Sequence, residues 1–259
     1  MELIKHDIVD DRVIMGTGTS IQAWQDWPGL QQLPPLDIKV SFPQQQRVCI
    51  LAPHPDDEIL GCGGLIQALV AQGNPVTLIA VTNGSASHPK STQYSAQELD
   101  HLRPLESQTA LKYLKLHDHI QRIALNLPDG QVYQQQNALY LALGQVLKAD
   151  DILVATFSQD GHPDHEGTGQ VAKKFAQDHD LICYEVLIWA WHWAKPNDAR
   201  IPWSRAQRLD LTPIQQQQKR GAITCFKTQL EADPSTLKPP ILSTSAIDRV
   251  CSAWEVYLC

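Results

Sequence analysis

Basic residues are scarce in this 259-residue chain. Lys and Arg number 21 against 28 Asp and Glu, a formal net charge of -7. No basic patch stands out to offset phosphate repulsion, so no nucleic-acid partner is expected. A run of apolar residues of membrane-spanning length is also missing, and no membrane span is expected. The opening MELIKHDIVDDRV carries charges where a signal peptide needs an unbroken apolar stretch. A soluble, cytoplasmic protein is the expectation. No C-x-x-C pair occurs among the six cysteines, Cys49, Cys62, Cys183, Cys225, Cys251 and Cys259. Cys49, Cys62 and Cys183 lie in apolar runs and read as small buried hydrophobes in a reducing compartment. Charged residues make up only 19% and hydrophobic residues 43%, which excludes a disordered chain and provides a sizeable core. The sequence does not set the oligomeric state.

What is present begins with an irregular stretch. Residues 1–46, rich in Pro and Gln and carrying Trp24 and Trp27, read as an extension packed on the domain by its tryptophans. Residues 47–259 read as a single catalytic domain. Val48 to Ala52 is a short apolar run of the kind that makes a buried strand. Ile59 to Gln72 follows at helical spacing and stops at Gly73. Val76 to Thr82, Ile120 to Leu127, Ile152 to Thr156 and Ile182 to Trp191 read as further strands. Helices are expected from the capping box at Ser95 to about Leu114, over Tyr133 to Leu147 and over Glu166 to Ala176. The Gln215–Gln218 tract reads as a solvated helix face. Strands alternating with helices predict an α/β, Rossmann-like three-layer fold with a mainly parallel sheet. In such sheets the site lies beyond the C-terminal ends of the strands.

Two chemically loaded clusters fall at such ends. His54-Pro55-Asp56-Asp57-Glu58 follows the first strand, and His162-Pro163-Asp164-His165 follows the strand ending near Phe157. Imidazole and carboxylate together are the donors that zinc and similar divalent metals take, and an open position beside three protein ligands marks a catalytic site. Amide hydrolysis is chemistry that needs such a site. Zinc lowers the pKa of bound water from ~16 to about 7, a carboxylate takes the proton, and a donor steadies the oxyanion. The spacing leaves open which of the two aspartates binds metal and which faces the water. Taken alone, three acidic residues in a row more often complement a helix dipole. The two clusters together, each at a strand end, outweigh that reading.

LAPHPDDEILGCGG resembles the A-H-P-D-D-E signature of the PIG-L/LmbE-like zinc-dependent deacetylases, and FSQDGHPDHEGTG resembles their second signature. LRPLESQTALKYL and LNLPDG are similar to that family's intervening helix and turn. The resemblance implies zinc, with iron or another divalent metal as the alternative, bound by His54, Asp57 and His165. It implies Asp56 as general base. It makes His162 the group that stabilises the oxyanion or protonates the leaving amine, with Asp164 orienting its ring and favouring its protonated form. Arg103 and Asp129 would reach the polar groups of the substrate, and Glu58 would hold ligands in place. The implied reaction is removal of an acetyl or other acyl group from the nitrogen of an amino sugar, glycolipid or sugar conjugate. Phe226-Lys227-Thr228-Gln229 departs from the family's usual His-x-Ser-Gln.

Trp189, Trp191 and Trp193 alternate at strand spacing and read as packing on one face, with His192 pointing the other way. An amidase acting on a larger sugar conjugate is the near alternative. A non-catalytic ligand-binding member of the fold is the rival from another class, though it need not keep both aspartates beside intact histidines. A two-metal phosphoesterase would bring more carboxylates.

Overall fold

A computed structural model describes residues 11–259. The first ten residues, with the start of the expected extension and most of the segment weighed as a leader, lie outside the described residues. The sheet has seven strands: β1 (Val48–Ala52), β2 (Val76–Ala80), β3 (Ile120–Ala124), β4 (Ile152–Thr156), β5 (Ile182–Val186), β6 (Ala206–Asp210) and β7 (Trp254–Leu258). Their order is β3-β2-β1-β4-β5-β7-β6. The first five pair in parallel, and β7 runs antiparallel to both β5 and β6.

β1 and β4 are buried at every position, which is why they read as continuous apolar runs. The strand period of two sends Val48, Ile50 and Ala52 into one core and Cys49 and Leu51 into another. The first core also takes Ile59, Leu65 and Leu69 from the helix Asp57–Gln72, and Ala110 and Leu111 from the helix Ala96–Tyr113. The second takes Leu139 and Leu143 from Gln136–Val146, and Val171 and Phe175 from Pro163–His179. Helices thus cover both faces of the sheet, in the three layers the alternating pattern implies.

The strand expected over Ile182 to Trp191 is shorter. It stops at Val186, and Ala190–Trp193 is a single helical turn. The three tryptophans therefore do not alternate along a strand. β6, β7 and the helix Thr244–Val250 follow where the sequence reading assigned no elements. Residues 11–46 pack against this part of the molecule. Trp24 is 1% exposed, meets the Trp191 ring edge-on at 4.9 Å and donates from Nε1 to Trp191 O at 3.0 Å. All six cysteines are free. Among the described residues no helix is long and apolar enough to cross a membrane.

Candidate active site

β1 ends at Ala52, and four residues later the chain makes a turn that only a strained backbone allows. Asp56 has φ 147°, a rare conformation for a residue with a side chain. The turn is held from both sides. Glu58 Oε2 takes the Asp56 N–H at 3.0 Å, and Ser107 Oγ donates to the other oxygen of Glu58. The helix then opens at Asp57, whose Oδ2 takes the His54 N–H at 2.9 Å and lies 3.2 Å from His54 Nδ1.

The second loop leaves β4. Asp160 is fully buried and accepts N–H bonds from Ile188, Trp189 and Ala190 at 2.8–3.1 Å. Fixed in this way, it takes His165 Nδ1–H at 2.8 Å. In the neutral ring the lone pair of His165 is thereby left on Nε2, a buried atom with no hydrogen-bond partner, 3.2 Å from Asp57 Oδ2. Asp160 was not singled out from the sequence. Its signal was an acidic residue two positions before His162 in the same loop.

His54 is oriented by the same logic. Its Nε2 faces Asp164 Oδ2 at 3.2 Å and Asp129 Oδ1 at 3.3 Å. Asp164 is itself held by the N–H groups of Gly130 and Val132, and Asp129 by that of Ala86. A hydrogen on Nε2 leaves Nδ1 free to ligate, the usual division of labour for a metal-binding histidine. His54, His162 and His165 each offer a ring nitrogen within 4.8 Å of the others, a cluster able to hold a metal ion, as is the set His54, Asp129 and Asp164. For a tetrahedral ion with 2.0–2.1 Å bonds, ligand atoms lie about 3.3 Å apart. The two 3.2 Å spacings to Asp57 and the orphaned His165 Nε2 fit such an ion.

The electrostatics agree with the geometry. Burial opposes charge on His165, yet Asp57 and Asp160 lift its pKa to about 9. His54 is likewise raised well above its ordinary value against burial, through Asp129, Asp164 and Asp57. Burial would raise Asp57, but the two imidazoles hold it well below the usual carboxylate range. A field that favours two positive rings in a buried place suits a divalent cation. Asp56 behaves in the opposite way. Burial pushes it up to about 7, with the Arg103 guanidinium pulling against the rise.

These groups sit in a cavity of about 800 Å³ whose lining includes His54, Asp56, Asp57, Asp129 and His162. Residues 49–176 match the model of the family described as PIG-L: GlcNAc-PI de-N-acetylase. The chain carries a PIG-L domain. A curated relative, the 1D-myo-inositol 2-acetamido-2-deoxy-alpha-D-glucopyranoside deacetylase of Kineococcus radiotolerans, is 29% identical over 112 residues. That stretch is 42% of this chain and only 30% of the relative's length. Among solved structures, N,N'-diacetylchitobiose deacetylase from Pyrococcus horikoshii aligns with a TM-score of 0.57 at 22% identity, over 76% of each chain. The deacetylase of teicoplanin biosynthesis aligns with a TM-score of 0.62 at 15% identity, over 82% of this chain and 97% of that one. These structural likenesses establish a shared fold.

Within the PIG-L domain two expectations, the part played by the Asp164 carboxylate and the protonation of His162, are corrected in detail. Asp164 does not orient the His162 ring through its carboxylate, which serves His54, Gly130 and Val132. Its backbone N–H donates instead to His162 Nδ1 at 3.2 Å, because His162 caps the helix Pro163–His179. The ring hydrogen then sits on Nε2, and burial with the neighbouring imidazoles pulls the pKa down to about 3. Burial and the capping bond thus both favour the neutral imidazole. Arg103 lines the cavity with its guanidinium engaged by the protein. It is 2% exposed and donates to Gly84 O, Pro55 O and Asp56 Oδ2. Asp129 similarly faces His54 and the Ala86 amide. Beyond the matched residues, Phe226 is fully buried in the first core, while Gln229 lines the cavity.

Proposed function

We propose that the protein is a metal-dependent hydrolase that removes an acetyl or other acyl group from the nitrogen of an amino sugar or a related small N-acylated molecule. The observation that carries this reading is the orphaned Nε2 of buried His165, aimed with His54 Nδ1 at one oxygen of Asp57 beside a carboxylate that does not join them. Relatives that are deacetylases of N-acetylated sugars support the substrate class.

His54, Asp57 and His165 would hold the ion, zinc first and iron or another divalent metal as the alternative, and it would supply a Lewis acid and lower the pKa of water. Asp56 takes a proton from the attacking water. Its raised pKa, about 7, suits a group that must bind and release a proton near neutrality. Arg103 and Glu58 position it. His162 donates from neutral Nε2–H to the oxygen that gains charge as the carbonyl is attacked. As the C–N bond breaks, Asp56 returns the proton to the departing amine nitrogen. Asp164 acts at both histidines, with its carboxylate on His54 and its amide on His162. Asp129 acts through His54.

The test is a screen of N-acetyl amino sugars, their glycosides and glycolipids, following acetate and free amine while metal content is measured on the same preparation. Acetate and amine should appear in equal amounts, with about one metal per chain. A metal-loaded protein that cleaves none of these amides overturns the reading.

A further inference from the structure

The cavity is completed by residues outside the family match. On one side lie Ile14, Met15 and Gly16 of the segment that precedes the domain, and Pro239, Pro240 and Ile241 also contribute. The segment is tied down by two buried polar side chains, His192 at 3% exposure and Arg249 at 4%. Arg249 donates through Nη1 to Thr17 O at 2.8 Å and Thr19 O at 2.9 Å, and through Nη2 to His192 Nδ1 at 2.7 Å. That last bond leaves the ring hydrogen of His192 on Nε2, which donates to Met15 O at 3.1 Å. Thr19 N returns a bond to His192 O at 2.8 Å. A Cβ on Gly18, where φ is +62°, would stand 2.6 Å from the His192 ring, so the backbone crosses the imidazole with no room for a side chain.

Lifting the segment would leave buried donors without acceptors, which is expensive enough to make it a fixed wall rather than a lid. The wall is apolar where it meets solvent. Met15 is 80% exposed and Ile241 39% exposed, beside catalytic groups that are almost wholly buried. Ile14, Met15, Pro239, Pro240 and Ile241 line the same cavity as His54, Asp56 and His162, and a mostly apolar lining around a few polar groups is what ligand cavities present.

We propose that residues 14–16 form a specificity wall, positioned by His192 and Arg249, which selects substrates carrying an alkyl or aryl substituent next to the N-acylated sugar. This rests on the deacetylase reading above. The substituent can arrive from two sources, a longer N-acyl chain or the group on the anomeric oxygen, and one experiment separates them. Two series are compared with the metal-loaded enzyme: methyl glucosaminides with N-acyl chains of increasing length, and N-acetylglucosaminides with alkyl groups of increasing length on the anomeric oxygen. In the series that meets the wall, kcat/KM should rise about two- to fourfold per methylene through KM, the range set by partial to full burial of a CH₂. Met15→Gln and Arg249→Gln should flatten that slope, and Met15→Leu should keep it. Calorimetric binding of the deacetylated alkyl glycosides gives a readout independent of turnover, with affinity rising with chain length in the native protein and level in Met15→Gln. Turnover with flat slopes in both series, or a slope unaltered in Met15→Gln, overturns the wall and leaves the deacetylase standing. Absence of cleavage throughout overturns the deacetylase reading, and the binding series then decides the wall alone.

Discussion

Asp56 and Asp57 are one peptide apart and experience opposite fields. Asp57 lies between two imidazoles that hold its proton off, while Asp56 turns away at φ 147° toward the cavity and is pushed up to about 7 by burial. The roles proposed for them separate in the same way. Asp57→Ala should lose bound metal and turnover together. Asp56→Asn should keep the metal and lose turnover by about 10²–10⁴-fold, the usual cost of removing a general base. Near-normal turnover of Asp56→Asn at saturating metal would remove the base assignment. His162→Ala should slow turnover by roughly 10²–10³-fold, as loss of an oxyanion donor does. Metal affinity should hardly change, because His162 Nδ1 already accepts the Asp164 amide. A large fall in metal affinity would make His162 a ligand instead. The residues with metal chemistry were legible because H-P-D-D-E and H-P-D-H concentrate donors within a few positions. Asp160 was not, nor were the hydrogen bonds of Arg103 and His192, since partners more than twenty residues away in sequence decide them.

Elements that depend on local pattern were readable, and those that depend on distant hydrogen bonds were not. β1 and β4 lie where their apolar runs place them, and the helix at Ser95 begins with the capping box its sequence spells. β5 ends early because the Asp160 carboxylate captures the N–H groups of Ile188, Trp189 and Ala190, diverting the backbone into a helical turn. Nothing in the alternation of the tryptophans reports a carboxylate from another loop. Trp191 and Trp203 bind the preceding segment to the domain. Trp24 packs edge-on against Trp191 and lies near Trp203 at 6.0 Å between centroids. Trp24→Ala should therefore destabilise the fold by about 3–5 kcal/mol, the range for removing a buried aromatic. Urea unfolding followed by tryptophan fluorescence measures it. A loss below about 1 kcal/mol would mean that the segment contributes little to stability.

At the scale of the whole molecule, the two loops that supply the proposed ligands leave neighbouring strands, β1 and β4, so a shared ion would tie the centre of the sheet together. Ligands that bind only the folded state stabilise by mass action, about 4 kcal/mol at a thousandfold excess over Kd. For a domain near this size that is a rise in Tm of roughly 8–16 °C. Its pH dependence follows from His165. In the metal-free protein that ring's pKa is raised to about 9, mainly by Asp57 against burial. A raised pKa stabilises the fold fully below the unfolded value of about 6.5, and the contribution is lost as pH climbs through about 9. Metal has to displace that proton, so binding strengthens over the same interval. Chelation should thus lower Tm least near pH 6 and most near pH 9, as the metal-free protein weakens while the metal-bound form, whose His165 carries no such proton, holds level. Calorimetric scans of matched chelated and zinc-loaded samples across that range test the linkage. A gap in Tm that stays constant, or narrows toward pH 9, would show that His165 does not exchange its proton for the metal.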